Sequence, residues 1–268
     1  MWAVTRLPFA PPAAAARTLR PPGGPGPGRP VGTATDTGTG GEERMRDAYH
    51  EELDSISDSL VEMARLVGSA MGRATTALLD ADLALAESVI AADEKINGLH
   101  HDLENRAIDL LARQQPVATD LRIVVTSLRM SADLERCGDL ARHVAKVARL
   151  RYPETAVPND LHPIVLEMGQ LAQRLVAKAG LVIATKDVDK ALELEADDDA
   201  IDALHRELFS HLLDDRWHHG IETAVDVTLV GRYYERFADH AVSVAKRVVY
   251  LVTGEHVADF VATAESAE

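Results

Sequence analysis

MSADLERCGDLARHVAKVA (residues 130–148) and VGRYYERFADHAVSVAKRV (residues 230–248) are two versions of one helical sequence, set one hundred residues apart. Glu135 and Asp139 match Glu235 and Asp239, and Arg136, Ala145 and Lys146 match Arg236, Ala245 and Lys246. The i, i+4 spacing puts each Glu-Asp pair on one helix face, where like charges cost roughly a few tenths of a kcal/mol. A repulsion kept at the same place in both copies points to a positive group between the carboxylates.

The duplication reaches further back. AADEKINGLHHDL (91–103) matches EADDDAIDALHREL (195–208), pairing Asp93 with Asp198, Ile96 with Ile201, Asn97 with Asp202 and Leu99 with Leu204 at an offset of 105. Elsewhere the apolar spacing is helical. Tyr49, Leu53, Ile56, Leu60, Met63, Val67, Met71, Ala74 and Leu78 recur at steps of three and four, one face of a helix. Breaks fall at Pro116, Pro153, Pro158, Pro163 and Gly220, with Asp80, Asp82, Asp187 and Asp189 as capping acids at two further connections. Six helices are predicted, over 46–80, 82–114, 117–151, 160–185, 188–215 and 221–253. Most are about thirty residues, or about 45 Å long. Short connections make sequential helices antiparallel. The fold class is therefore all-α: two tandem three-helix bundles related by internal duplication, 45–153 and 154–254, followed by a C-terminal tail, 255–268. Each half is large enough for its own core. A six-helix solenoid is disfavoured, because a 105-residue period is too long for the usual helical repeats.

Residues 1–44 read differently. They hold 8 of the 12 prolines and 8 of the 17 glycines, and five arginines against three acids. A segment so poor in apolar periodicity cannot offset its ordering entropy and is expected to be a disordered extension. It lacks the apolar core of a signal peptide, and its Pro/Gly content argues against an amphipathic transit helix. Met45 opens the periodic sequence, so a translation start there is the competing reading.

Beyond residue 44 the chain carries 23 basic and 40 acidic side chains, a net charge of −17. Such a balance argues against a nucleic-acid partner, whose affinity comes from cations that neutralise phosphates. No apolar run is long enough to be an integral membrane segment. The single cysteine, Cys137, excludes an intramolecular disulfide and fits a reducing cytoplasm.

Antiparallel helices place residues equidistant from their turn at one height. Asn97 and Glu135 are centred on position 116, as are Asp93 and Asp139, and that position is Pro116. Asp202 and Glu235 are centred on 218.5, as are Asp198 and Asp239, between His218 and His219. Counting from the turns thus predicts three carboxylates and one amide together in the first half, and four carboxylates in the second. An all-oxygen cluster suits hard cations such as iron, manganese, magnesium or calcium. The bland alternative is a solvated acidic face paired with Arg136, Arg142 and Arg236. Leu128, Ala141, Val144 and Ala148 lie off the Glu135/Asp139 stripe, so the cluster is expected at the surface. The histidines form neither HExxH nor ExxH, which disfavours a ferritin-like di-iron bundle. His143 lies four residues beyond Asp139, but Ser243 stands at its matching position. No GxxxxGK[ST] is present, which argues against ATP hydrolysis by this chain.

The segment LLARQQPVATDLRIVVTSLRMSADLERCGDLARHVAKVA (110–148) closely resembles the PhoU family of accessory regulators of bacterial phosphate-specific transport. The likeness runs over roughly 45–253 and includes both repeats. It implies two helical bundles with an ExxxD metal motif in each, so that Glu135, Asp139, Glu235 and Asp239 are metal ligands. Asp93, Asn97, Asp198 and Asp202 join them through the hairpin geometry. The expected metals are iron, manganese, magnesium or zinc. Cys137, where the family usually has isoleucine, is a small departure that would make the site sensitive to oxidation. The resemblance further implies a non-enzymatic negative regulator of phosphate uptake and phosphate-starvation signalling. Its implied partners are the phosphate ABC transporter ATP-binding subunit and a phosphate-sensing histidine kinase. A homodimer is expected, cytoplasmic and peripherally associated with those membrane complexes. The competing class is a metal-dependent helical-bundle enzyme, a di-iron-like oxidase or a hydrolase.

Overall fold

A computed structural model describes residues 39–260, with side chains from Asp47 onward except Ala48. Six helices follow one another: α1 (Thr39–Leu79), α2 (Leu83–Gln114), α3 (Ala118–Arg151), α4 (His162–Thr185), α5 (Val188–Leu212) and α6 (Gly220–Thr253). Five of them agree with the predicted spans to within three residues at either end. The exception is α1, which begins at Thr39 and so takes in 39–44 of the expected extension. No proline follows Pro30 until Pro116, and an established helix propagates backward at little cost where nothing blocks it. The rest of that expectation, 1–38, lies outside the described residues, as does 261–268 of the tail. Of the tail's described part, Val257 and Phe260 pack against the core.

The helix ends have local causes. Asp82 caps α2 by accepting from the Leu85 amide (2.9 Å), and Asp187 caps α5 by accepting from the Lys190 amide (3.1 Å). Pro163 stands in the first turn of α4, where its missing N–H is not needed. Gly254 closes α6 in the left-handed region at φ +84°, with its N–H on the Tyr250 carbonyl.

The halves do not form independent cores. α2 packs on α1 and α3, and α5 packs on α4 and α6, while α1 also packs on α4 and α3 on α6. One continuous apolar cluster results, running from Leu60 and Met71 through Leu134 and Met168 to Phe237 and Val248. The reason lies in the width of the buried faces. α4 buries Ile164, Val165, Met168, Ala172, Leu175, Val176, Ala179, Val182 and Ile183, more than a single stripe and enough for neighbours on both sides. Where α1, α4 and α6 meet, Thr75 and Tyr234 hydrogen-bond hydroxyl to hydroxyl at 2.7 Å, both buried. A Cβ on Gly169 would lie 2.5 Å from Thr75 Oγ1, so only glycine lets α4 approach here.

α3 and α6 run antiparallel, because their contacts count in opposite senses. Asp133 meets His240 and Arg247, Cys137 meets Phe237, His143 stacks on Tyr233, and Arg151 meets Glu222 and Asp226. Cys137 and Phe237 are equivalent positions of the duplication, so they mark its pseudo-twofold axis. Burial raises the Asp133 carboxyl, but hydrogen bonds from His240 (3.1 Å) and Arg247 (2.6 Å) outweigh it and hold the group below its ordinary 3.8. An unfolded chain therefore binds that proton more readily than the native one. The contribution is full above about pH 3.8 and is lost as pH falls through the lower folded value. Asp133→Asn is expected to destabilise the protein by about 2 kcal/mol in urea unfolding at pH 7, and by much less near pH 3. Equal stability of the two proteins at pH 7 would show that the α3–α6 contact does not rely on this carboxylate.

Candidate metal centre

The structure brings Asp93 near Asp139 in the first half, and Asp198 near Asp239, Asp202 and Glu235 in the second. In the first half, α2 supplies Asp93 and Asn97 while α3 supplies Glu135 and Asp139. Asp93 is buried at 4% exposure, facing Gly138, where a Cβ would stand 3.2 Å from Asp93 Oδ1. The glycine of ERCGD is thus what lets the α2 carboxylate close against α3. Asn97 Nδ2 donates to Asp93 Oδ2 at 3.4 Å. Arg142 spans the cluster, 3.2 Å from Asp93 and hydrogen-bonded to Asp139. Arg136 pairs with Asp139 at 2.9 Å and with Glu135 at 3.6 Å. Burial pushes the Asp93 carboxyl up, and Arg142 counters part of that rise. Asp93 Oδ1 and Asn97 Oδ1 remain buried without a hydrogen-bond partner.

A surface position was expected for this cluster, and the structure corrects it. Asp93 is in the core, and the Glu135 and Asp139 side chains keep only 21% and 16% exposure. The residues used to place the cluster, Ala141, Val144 and Ala148, line the same buried side of α3 that admits α2 at Gly138.

In the second half, α5 supplies Asp198 and Asp202 while α6 supplies Glu235 and Asp239. Val242 stands at the position of Arg142, so no guanidinium spans these acids. Arg232 pairs with Glu235, whose Oε2 is buried without a partner. Burial, then the charges of Asp239, Asp202, Asp199 and Glu235, push the Asp198 carboxyl up to about 6. His205, three residues beyond Asp202, has a buried Nε2 without a partner. Its counterpart His100 pairs with Ser131 at 3.1 Å, but the residue matching Ser131 is Gly231. Sequence reasoning missed His205 because it sought ExxH, and the spacing here is DxxH.

Cys137 is fully buried between α3 and α6, and burial pushes its thiol well up. The expected sensitivity of the site to oxidation is therefore corrected, since the reactive form is the thiolate. Among the described residues, no group of three or more His, Cys, Asp or Glu side chains is arranged to hold a metal ion. The donors nevertheless fit a hard cation in type, and one oxygen each of Asp93, Asn97 and Glu235 is a buried acceptor without a hydrogen-bond partner.

The PhoU domain matches residues 60–148 and 165–248, one match in each half and each containing its acidic motif. The chain belongs to the PhoU family. Among PhoU proteins it is 52% identical over 210 residues to the phosphate-specific transport system accessory protein PhoU homolog 2 of Mycobacterium tuberculosis, across 78% of this chain and 99% of that protein. The Pseudomonas aeruginosa homologue is 32% identical over 213 residues. The crystal structure of PhoU from Pseudomonas aeruginosa superimposes with a TM-score of 0.71, covering 77% of this chain and all of that one. That of the phosphate transport system regulatory protein PhoU from Streptococcus pneumoniae gives 0.68 at 29% identity. The relatives are named as transport accessory proteins, which fits a non-enzymatic reading.

The acids around Asp198 make a stability prediction. Asp198 holds its proton more tightly when folded than unfolded, so metal-free protein loses stability as pH rises from about 3.8 through about 6. Asp198→Asn removes that repulsion. In chelator-treated protein it is expected to melt above wild type at pH 7.5, with the gap closing at pH 4. A lower melting point at pH 7.5 would mean that the acids do not strain the second half.

Proposed function

We propose that this chain is a non-enzymatic accessory regulator of phosphate uptake that carries a metal ion on its acidic clusters and contacts two partners. The observation that carries the reading is a PhoU domain in each half, each presenting an acidic quartet between its second and third helices. Phosphate transport comes from the names of the relatives, PhoU accessory proteins of phosphate-specific transport systems. The partners proposed are the ATP-binding subunit of a phosphate transporter and a phosphate-sensing histidine kinase, which the chain holds in its repressing mode when phosphate is plentiful. No described helix is long and apolar enough to cross a membrane, so attachment to those membrane complexes is by docking.

The metal falls more naturally to the second quartet. Arg142 already supplies positive charge to Asp93 and Asp139, whereas Glu235, Asp239, Asp198 and Asp202 have no bridging cation of their own. A hard ion held by these carboxylates would supply the missing charge and fix α5 against α6; the same ion in the first half must displace Arg142. Support for two partners comes from the duplication. Leu121 and Val125 on α3 are exposed, and so are the matching Ile221 and Val225 on α6. The antiparallel pairing of α3 and α6 sends these patches to opposite ends of the molecule. Each is an i, i+4 apolar row of the kind that seats in a partner's groove.

Elemental analysis of purified protein is expected to find iron, manganese, magnesium or zinc, and Glu235→Gln with Asp239→Asn to lower the content more than Glu135→Gln with Asp139→Asn. Equal loss from both double variants, or no bound metal in wild type, would remove the cation from the second quartet. Co-purification from phosphate-replete cells is expected to bring the transporter ATPase and the kinase. Leu121→Glu and Ile221→Glu are expected each to lose one of them; retention of both by both variants would refute the two-ended arrangement.

A further inference from the structure

One cavity among the described residues is basic, in a chain of net charge −15. About 650 Å³ in volume, it lies at the C-terminal end of α6, between α3, the start of α5 and the segment after Gly254. One face of α6 forms its floor: Ser243, Lys246, Arg247 and Tyr250, at helical steps of three and four. Arg129 and Thr126 come from α3, and His256 from beyond Gly254.

The charges in this cavity are incompletely used. Arg129 is exposed and has no ion-pair or hydrogen-bond partner among the described residues. Lys246 pairs with Glu195 at 2.7 Å, but both side chains are about half exposed, so the pair is weak and easily displaced. Arg247 alone is committed, through its bond to Asp133 at 2.6 Å. Three cationic side chains, Arg129, Lys246 and Arg247, thus line the cavity with one acid, Glu195. The aromatic part is organised as well: the Tyr250 and His256 rings stack at 4.8 Å and 13°, with the Arg122 guanidinium 6.0 Å from the Tyr250 centroid.

We propose that this cavity is a binding site for a nucleotide, whose phosphates are held by Arg129 and Lys246 and whose base packs against Tyr250 and His256. Size decides between a nucleotide and a bare phosphate ion, because about 650 Å³ is the volume of a pocket for a small organic ligand. The lining decides it again, since a free ion has no use for a stacked aromatic pair. Arginine and lysine are the usual phosphate donors, Arg129 as a planar fork and Lys246 as a point charge. The hydroxyls of Thr126 and Ser243 are within the lining and add neutral donors. Glu195 is the internal competitor: while it holds Lys246, the phosphate position is partly filled by a carboxylate of the chain itself.

The duplication shows that the α6 face of the site is peculiar to the second half. Lys146 matches Lys246, but His143, Val147 and Leu150 stand where Ser243, Arg247 and Tyr250 stand. The binding surface is therefore an addition to the repeat, not part of the shared fold. Nor does it rest on the acidic quartets. Its cations act without a metal, and the site is testable in chelator-treated protein.

Titration calorimetry of chelator-treated full-length protein with ATP, AMP and inorganic phosphate is the test. Saturable binding of ATP or AMP, with phosphate weaker by tenfold or more, is expected. Arg129→Ala and Lys246→Ala are each expected to weaken ATP binding about tenfold. Glu195→Gln is expected to tighten it about threefold, an effect that loss of folding cannot produce. Arg65→Ala, a surface arginine remote from the cavity, is expected to leave binding unchanged. Absence of nucleotide binding at millimolar concentration would overturn the proposal. So would phosphate binding as tightly as AMP, or affinity unmoved by Arg129→Ala and Lys246→Ala.

Discussion

The crossing of α3 and α6 at Cys137 and Phe237 is the contact on which the rest of the molecule depends. Each of these helices is the third of its half and carries that half's acidic motif. Their antiparallel pairing joins two three-helix units into one core and also fixes which faces remain free. One side of α3 is taken by α6 and another by α1 and α2, which leaves the Glu135/Asp139 stripe at the seam with α2. The same holds for α6, α5 and Glu235/Asp239. A small thiol suits this position because a backbone carbonyl, Phe237 O, lies 3.7 Å from it. The ion pairs flanking the crossing, Asp133 with Arg247 and Arg151 with Asp226, keep the two helices in register at both ends.

The acidic quartets then present one problem with two solutions. Placing Asp93 in the core beside Asp139 is unfavourable unless a positive charge accompanies it. The first half answers with Arg142, which reaches both carboxylates from one turn beyond Asp139. With Val242 in that place, the second half has no such answer, and burial together with the neighbouring acids raises Asp198. The meeting of Asp198, Asp202, Glu235 and Asp239 without a bridging cation is what makes this seam a candidate cation site.

Much of this was legible in the chain. Pro116 and Gly220 stop the helices where the apolar period stops, and equal counting from those turns put Asp93 beside Asp139 and Asp198 beside Asp239. Counting works because two antiparallel helices with a short turn leave no freedom in register. It fails where helices are not sequential neighbours. Nothing in the spacing of α1 or α4 says that Gly169 will meet Thr75, or that the halves will share one core, because a wide apolar face does not name its partner. The burial of Asp93 was missed for the same kind of reason: it depends on Gly138, a glycine on the opposing helix. Arg142 was visible as a possible counter-ion, but its choice of Asp93 over solvent is a matter of distance, not of sequence spacing.

The basic cavity was the least legible feature, and its construction explains why. Ser243, Lys246, Arg247 and Tyr250 form a readable stripe, yet on a helix whose acids and bases balance it reads as ordinary surface charge. What converts it into a pocket is closure from elsewhere. Arg129 arrives from α3 only because α3 runs antiparallel to α6, which brings the N-terminal half of one against the C-terminal half of the other. His256 arrives only because Gly254 adopts a left-handed backbone and turns the chain back, so that the ring lies flat on Tyr250. In the first half Tyr152 follows α3 where Gly254 follows α6, and the chain runs on to α4 rather than folding back on its own helix. The two halves thus share the helices and the acids, while the segment after Gly254 folds back over the basic face of α6.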